Sequence, residues 1–585
     1  MSNMRTAVVE STSRVGKEIS VSGWVNSRRD HGGIIFVDLR DHTGIVQLVF
    51  NPDFSDFSVA ENLRDEFCIR VSGLVRERGE GLENPNIATG KIEIVVSKLE
   101  ILNKSETPVV TTHDDEALAN EDLRLKYRFL DLRRPHMQNI LKKRAEFNKI
   151  IRTYMEEKGF VEVATPILAN SSPEGARDFL VPSRVHAGKF YALPQAPQQF
   201  KQLLMVSGVS RYYQIAPCFR DEDPRADRLY GDFYQLDLEM SFVEAGEIVR
   251  AETEPLIKKI VTDFAGKKLM NNEIPCLTYE EAINSYGTDK PDLRYDMKLI
   301  DLTDVFKNTD FAVFKNAECV KAICVKGGAS LSRSQIDGFT EIAKREGAGG
   351  LAYLTYKEGE IQSPITKFLS EEELRETTEK LWAGDGDAVF FGADKKTRVN
   401  KVLGVLREAF ADHLELKDPG MVSLVWVIDF PFYEWDEKNK HLDFGHNPFS
   451  WPKGGLEALK VDDKLAIIAD QYDMVLNGYE ICSGAVRNHN PEVMYEVFGV
   501  LGYDKSYVES KFGGMLNAFK FGAPPHAGCA FGLDRMFMEL LNLDSIRDTL
   551  AFPKNGSGVD VMMDSPSSVE SEQLTELSLK LNVKG

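Results

Sequence analysis

The chain has 585 residues, a formal charge of -20 at pH 7 and ordinary proportions of apolar and charged residues. That length exceeds a single core and predicts three or four domains, and the charge argues against wholesale binding of a polyanion while leaving room for one local basic face. No apolar run approaches the roughly 18 residues needed to cross a bilayer, and Met1 to Ser20 lacks the apolar centre of a signal peptide, so a cytoplasmic protein with no membrane partner is expected.

Residues 1–106 read as a small barrel. Apolar residues alternate with polar ones over Ile19–Val25 and Gly33–Arg40, and turn signals fall at Asp30–Gly33, His42–Gly44 and Gly79–Pro85. Ile35, Val37 and Leu39 share one face of the second strand and leave Phe36 with Asp38 and Arg40 on the other, while Val46, Leu48 and Phe50 take the core side and point the Gln47 amide outward. An aromatic ring among Arg28, Arg29, Gln47 and Glu93 on the polar face of a barrel makes a platform for stacking a single-stranded base.

Residues 107–138 read as a linker, polar from Thr107 to Asn120 and holding Pro108 and the acidic run Asp114–Glu116. In 139–285, Leu141 to Gly159 has the pattern of an amphipathic helix stopped by glycine, and Phe160 to Leu168 that of a strand ending near Pro166. Farther on, alternation puts Gln235, Asp237 and Glu239 on one face of a strand. Residues 286–412 change character, with glycine-rich turns among strands and helices, and read as an inserted α+β domain. The earlier pattern resumes over 413–556 and ends in a polar extension, 557–585.

The cysteines are scattered, and Cys319 with Cys324 has no second pair or nearby histidine to complete a zinc site, so reduced thiols are expected. There is no GxxxxGK[ST] and no GxGxxG after a strand, so a nucleotide, if used, has to be held by side chains. Two arginine segments suit that task, Cys218-Phe219-Arg220-Asp221-Glu222 and Gly528 to Arg535, because a bent triphosphate presents charge at both ends.

These two segments, with Phe160–Leu168, Ser172–Asp178, Leu193–Lys201, Gln235–Glu239, Tyr286–Arg294 and Tyr479–Arg487, resemble the motifs of a class II aminoacyl-tRNA synthetase, and specifically the bacterial-type aspartyl-tRNA synthetases, over nearly the whole chain. The resemblance implies an N-terminal OB-fold barrel that binds the anticodon, a catalytic core built on an antiparallel sheet, and a GAD-type insertion. It implies activation of L-aspartate by ATP with Mg2+, transfer to the 3'-terminal adenosine of tRNA, and a homodimer formed through the helix and strand of the first motif.

It also assigns residues. Glu174, Gln198 and Asp237 would hold the ammonium side of the substrate, Lys201 and Arg487 its side-chain carboxylate, and His446 would sit in a mobile substrate-sensing loop. Arg220 would clamp the α-phosphate, Asp221 and Glu222 belong with the adenine end, and Gly532, Leu533, Asp534 and Arg535 would anchor the far phosphates; Arg220 and Arg535 are the catalytic arginines. Asp473 and Glu480 are acids suited to magnesium bound with ATP. Arg29, Phe36, Gln47 and Glu93 would face the anticodon. Two cations toward the side-chain carboxylate favour aspartate over lysine or asparagine. Asn447 stands where many relatives carry a second histidine, and Arg228–Phe233 departs from the usual shorter loop, so no ATP contact is transferred to it.

His31 and Gly81 resemble the relaxed type that charges both tRNA(Asp) and tRNA(Asn), whose anticodons differ by C against U at the third base. A strictly tRNA(Asp)-specific enzyme is the alternative. A synthetase-derived nucleic-acid-binding regulator is another, although it is expected to have lost Arg220, Arg487 or Arg535. An amino-acid ligase of this fold that works without tRNA is expected to lack the barrel.

Overall fold

In a computed structural model of the chain, the described residues are 5–171, 176–223 and 228–582. They fall into two units, Met1–Lys142 with Asp560–Ser565, and Lys143–Val559 with Pro566–Gly585.

The first unit carries a closed five-stranded barrel, an OB-fold, from β1 (Glu18–His31), β2 (Ile34–Asp41), β3 (Gly44–Phe50), β4 (Cys68–Glu77) and β5 (Ile92–Asn103), in the order β1-β2-β3-β5-β4. Period-two alternation drives closure, since Val21, Val25, Ile35, Val37, Leu39, Val46, Leu48, Ile69, Val71 and Ile94 all point into one core. β1 serves two neighbours because a bulge between Val25 and Ser27 bends it. Glu18–Trp24 pairs with β4, and Trp24–His31 with β2.

After the barrel, residues 107–120 have no helix or strand, but Glu121–Lys126 and Arg128–Asp131 form short helices. The reason is a buried ion cluster: Asp131 accepts from Arg128 at 2.6 Å and from Arg134 at 2.9 Å, and Arg134 also reaches Asp114 at 2.9 Å. The stretch 107–138 is thus only in part a polar linker.

Helix α1 (Pro135–Glu157), which begins in the first unit and continues into the second, starts earlier than periodicity alone suggests because proline opens it. Phe147 on this helix packs against Phe264 and Phe537 at ring distances of 5.4 and 5.6 Å. The strand expected over Phe160–Leu168 is reduced to β6, Val161–Glu162. Its pairing to the sheet ends with the Val163 N–H on the Tyr213 carbonyl at 3.1 Å, after which the chain turns away and leaves Ile167 and Leu168 exposed.

The main sheet adds β7 (Arg211–Arg220), β8 (Gly231–Ser241) and β9 (Cys276–Thr278). The chain then leaves it for the insertion, with strands β10 (Ile300–Asp301), β11 (Cys319–Val325), β12 (Ala352–Lys357), β13 (Glu360–Gln362) and β14 (Ala388–Asp394) in the antiparallel order β10-β11-β14-β12-β13. β11 is buried on both faces: Cys319, Ile323 and Val325 meet a core that includes residues of helices Arg333–Arg345 and Lys396–His413, while Val320, Ala322 and Cys324 meet a second one around Phe306 and Phe314. The main sheet resumes with β15 (Leu424–Ile428), β16 (Gln471–Leu476), β17 (Tyr479–Val486) and β18 (His526–Gly532). Its order is β9-β15-β16-β17-β18-β8-β7-β6, antiparallel except at its two outermost pairs. Among the described residues no helix is long and apolar enough to cross a membrane.

Arg407, on the last helix of the insertion, fastens that helix to the insertion's first segment. Buried and stacked 4.2 Å from the Tyr295 ring, it donates to the carbonyls of Asp292 (2.6 Å), Tyr295 (3.0 Å) and Met297 (3.2 Å). Arg407→Met leaves three buried acceptors without their donor, at a cost of about 2–5 kcal/mol. Limited proteolysis should then cut the 288–299 segment well before the rest of the chain. Equal protease resistance of variant and parent would contradict this fastening role.

Candidate functional site

Four charges meet under the centre of the main sheet. Helix α2 (Gln198–Val206) buries Gln198, Lys201, Gln202 and Met205, the i, i+3, i+4, i+7 stripe of a helix, but with polar groups where a core helix would have leucines. Lys201 Nζ reaches Asp237 Oδ1 at 2.6 Å and Glu239 Oε2 at 3.4 Å. Arg487, just past the end of β17, gives Nε to Glu239 Oε1 at 2.9 Å and Nη2 to Glu239 Oε2 at 3.2 Å and to the Gly528 carbonyl at 3.0 Å. Two cations and two acids therefore cancel in a place where an unpaired charge would be costly.

The two acids differ. Burial pushes the Asp237 carboxyl above the ordinary range, opposed by Lys201. Burial also pushes Glu239 up, but Arg487 and Lys201 outweigh it and hold Glu239 below that range. Asp237 keeps one oxygen, Oδ2, buried without a hydrogen-bond partner. Glu239 is fixed by packing as well, because a Cβ on Gly528 would collide with Leu238 O and Glu239 Oε2. An ammonium has three donors and a guanidinium five, so pairing with the acids does not exhaust either cation.

This cluster forms one end of a cavity of about 630 Å³. Gln198, Lys201, Asp237 and Arg487 line that end, with Gln235 beside them. Arg220 and Glu222 from the end of β7 line another part. The Arg220 guanidinium lies 5.1 Å over the Phe233 ring, and its buried Nε has no hydrogen-bond partner. Glu222 takes Arg228 at 2.8 Å. Gly532 and Arg535, where β18 runs into helix α3 (Leu533–Leu541), line a third part, with Arg535 on the Glu480 carbonyl at 3.0 Å.

Asp473 and Glu480, on adjacent strands, also border the cavity. Burial, and then the charge of Glu480, drive Asp473 well above the ordinary range. A hard divalent cation would relieve that crowding of acids, so the donor set fits magnesium. Lys290, which sequence reasoning did not single out, performs part of that task by meeting Glu480 at 3.0 Å. His446 stands at the cavity with its ring edge on Phe430 at 4.7 Å; its burial holds the imidazole below the usual range against the opposing charges of Asp289 and Glu480. Asn447 is turned to its own loop, accepting from the Phe449 N–H at 3.0 Å and the Ser450 hydroxyl at 3.1 Å.

Glu174 is outside the described residues. Two expected residues, Asp221 and Leu533, do not line the cavity. Asp221 instead accepts from the Tyr230 hydroxyl at 3.3 Å. Leu533 is fully buried behind the cavity wall. Asp534 borders the cavity but is engaged structurally, accepting from the Tyr234 N–H at 2.8 Å and forming an ion pair with Arg144 at 2.7 Å. Residues not foreseen are Glu239 as the partner of Arg487, Gln202 and His526. The helical stripe that starts at Gln198 and Lys201 was the signal available for Gln202.

On the barrel, Phe36 is half-buried within a ring of polar groups. Arg29 meets Asp38 at 3.0 Å and Gln47 at 3.5 Å, Gln47 donates to Glu93 at 2.9 Å, and Arg76 reaches Glu93 at 2.7 Å. The Gln47 amide faces away from the core as alternation requires, yet it is 9% exposed rather than open, because Arg29 and Glu93 cover it. His31 ends β1 exposed, and Gly81 holds a turn at φ +80°, a conformation that favours glycine.

Comparison with known proteins places these features. Residues 120–556 match the family of tRNA synthetases class II (D, K and N), and residues 19–102 match the OB-fold nucleic acid binding domain. The chain is 50% identical to a protein of Chlorobium phaeobacteroides (strain BS1) named Aspartate--tRNA(Asp/Asn) ligase, across 97% of this chain and 94% of that one. It is 47% identical to the Streptomyces avermitilis protein named Aspartate--tRNA ligase, across 97% of each. The crystal structure of asparaginyl-tRNA synthetase from Pyrococcus horikoshii complexed with asparaginyl-adenylate shares the fold at a TM-score of 0.56 and 19% identity, covering 94% of this chain and 98% of that one.

Glu239→Gln leaves Arg487 buried with half a partner, which costs about 3–5 kcal/mol. Because Glu239 is held below its unfolded value, its contribution is present above that value and is lost as pH falls through the folded one. Urea unfolding should therefore separate parent and variant widely at pH 7 and bring them together in acid. A gap that is constant with pH would refute the assignment.

Proposed function

The chain belongs to the class II tRNA synthetases of the D, K and N group, and we propose that it activates L-aspartate with ATP to aspartyl-adenylate and pyrophosphate, then transfers aspartate to the 3'-terminal adenosine of tRNA(Asp) and of tRNA(Asn). The observation that carries the choice of amino acid is the pairing of Lys201 and Arg487 at one end of the cavity, with the acid oxygen Asp237 Oδ2 left over. Aspartate offers a side-chain carboxylate to the two cations and an ammonium to that oxygen and to Gln198. A lysine side chain would meet like charge there. Asparagine would leave two cations without an anion.

ATP lies between Arg220 and Arg535 in this reading. Arg220 takes the α-phosphate, where charge grows as the substrate carboxylate attacks, and Arg535 the distal phosphates, with Glu222 at the adenine. The protein contributes positioning and fixed charge and forms no covalent intermediate of its own. Asp473 and Glu480 would hold magnesium, which when bound neutralises phosphate charge. Solvent-exposed Val161, Ile167 and Leu168 beside α1 support a second copy of the chain packing on this face. The anticodon falls to the barrel face of Arg29, Phe36, Gln47 and Glu93. His31 and Gly81, in turns on the same unit, favour a reader that tolerates both C and U at the third anticodon base, in a cytoplasmic enzyme.

Amino-acid-dependent ATP–pyrophosphate exchange over the twenty amino acids should give aspartate as the best substrate, and Arg487→Leu should lower kcat/KM for aspartate by about a hundredfold or more. A different preferred amino acid would end the pocket argument.

The purified enzyme should also load aspartate onto transcripts of both tRNA(Asp) and tRNA(Asn). Charging of tRNA(Asp) alone makes it the strictly specific enzyme.

A further inference from the structure

Three buried groups form a chain that ends at the cavity. Gln198 Nε2 donates to Gln202 Oε1 at 3.1 Å, Gln202 Nε2 meets His526 Nε2 at 3.1 Å, and His526 Nδ1 meets the Pro524 carbonyl at 2.8 Å. Gln202 and His526 are fully buried, so neither has water as a substitute partner, while Gln198 is 7% exposed at the cavity.

Hydrogen-bond polarity runs one way along this chain. The Pro524 carbonyl can only accept, so Nδ1 of His526 carries the proton. In the neutral ring Nε2 is then an acceptor, and Gln202 must turn its NH2 toward it. That leaves the Gln202 carbonyl oxygen toward Gln198, which gives up its NH2 in turn. The end of Gln198 left for the cavity is its carbonyl oxygen.

We propose that Gln202 and His526 are positioning residues that set which end of the Gln198 amide meets the substrate, presenting an acceptor to the ammonium group of aspartate. The proposal rests on the aspartate reading above and extends it two residues behind the cavity wall. An amide has nearly the same shape in either orientation, so packing alone cannot choose between them. Only a partner of fixed polarity can. His526, with one nitrogen committed to a backbone carbonyl, is that partner.

Protonation reverses the chain. An imidazolium donates from Nε2, Gln202 must answer with its carbonyl, and its NH2 then calls for the carbonyl of Gln198. The NH2 of Gln198 is left facing the cavity, where it opposes an ammonium. Burial holds His526 below the ordinary histidine range. Glu239 opposes that effect, and Arg487 and His489, the latter at a ring distance of 6.1 Å, reinforce it. The apolar ring of Phe519 closes another side at 6.3 Å.

The test uses the full-length enzyme in aspartate-dependent ATP–pyrophosphate exchange. His526→Phe fills the space without an acceptor, while His526→Gln restores an amide that can donate to Pro524 and accept from Gln202. H526F should raise the KM for aspartate about tenfold and move the KM for ATP less than about twofold, and H526Q should return aspartate KM close to the parent value. The inhibition constant of succinate, which is aspartate without its ammonium, should be the same in H526F and parent. The fall in kcat/KM for aspartate as pH drops through the His526 titration should vanish in H526Q. Equal damage from H526F and H526Q, or parallel losses of aspartate and succinate, would overturn the relay. If the parent enzyme shows no aspartate-dependent exchange, the aspartate reading fails first, before any variant is compared, and the relay fails with it.

Discussion

Burying charge without stranding it is the constraint on which this site depends. Lys201, Arg487, Asp237 and Glu239 are almost fully removed from solvent, and any one of them left alone would cost several kcal/mol. They come from three places far apart in sequence, helix α2, strand β8 and the residue following β17. The ion pairs therefore hold only if the sheet brings those elements into one register. The fold and the pocket are specified by the same four residues.

The sheet supplies that register with little latitude. Tyr472 donates to the Gly528 carbonyl at 3.0 Å, and that carbonyl also receives Arg487. A Cβ at Gly528 would displace Glu239, and one at Gly484 would meet the Tyr472 ring and Cys529. Two glycines thus let strands and side chains approach closely enough for the acids to reach the cations. At this end of the cavity each charged side chain is held by another.

Much of this was legible in the sequence, and for definite reasons. Alternation on β8 put Gln235, Asp237 and Glu239 on one face, and the barrel followed from period-two patterns whose core residues are the ones buried. Two kinds of information were not available. Partner choice across distant elements leaves no local trace, so Glu239 read as part of a strand face rather than as the partner of Arg487. Pairing strength at a sheet edge is set by what lies beside the strand, which is why Phe160–Leu168 looked like a full strand and forms only two residues of one. Gln202 is a middle case, because its helical spacing from Gln198 was visible while the need for an amide at that position becomes apparent only with His526 beside it.

The barrel repeats the logic of the core in a weaker form. Gln47 is held between Arg29 and Glu93, and Glu93 is held in turn by Arg76, so the face proposed to meet a base is already satisfied by its own side chains. A nucleobase that docks on Phe36 must either exchange partners with this network or lie against it. Exchange is nearly neutral in energy when the base offers matching groups, and costly when it leaves one of them unpaired, so selectivity comes from the penalty for the wrong base more than from reward for the right one. Arg29 is the most exposed member, with half its side chain in solvent, and can move at low cost, whereas Glu93 is anchored on two sides. Tolerance at the third anticodon base then depends on whether the edge that differs between C and U falls on the movable part of this network or on the anchored part.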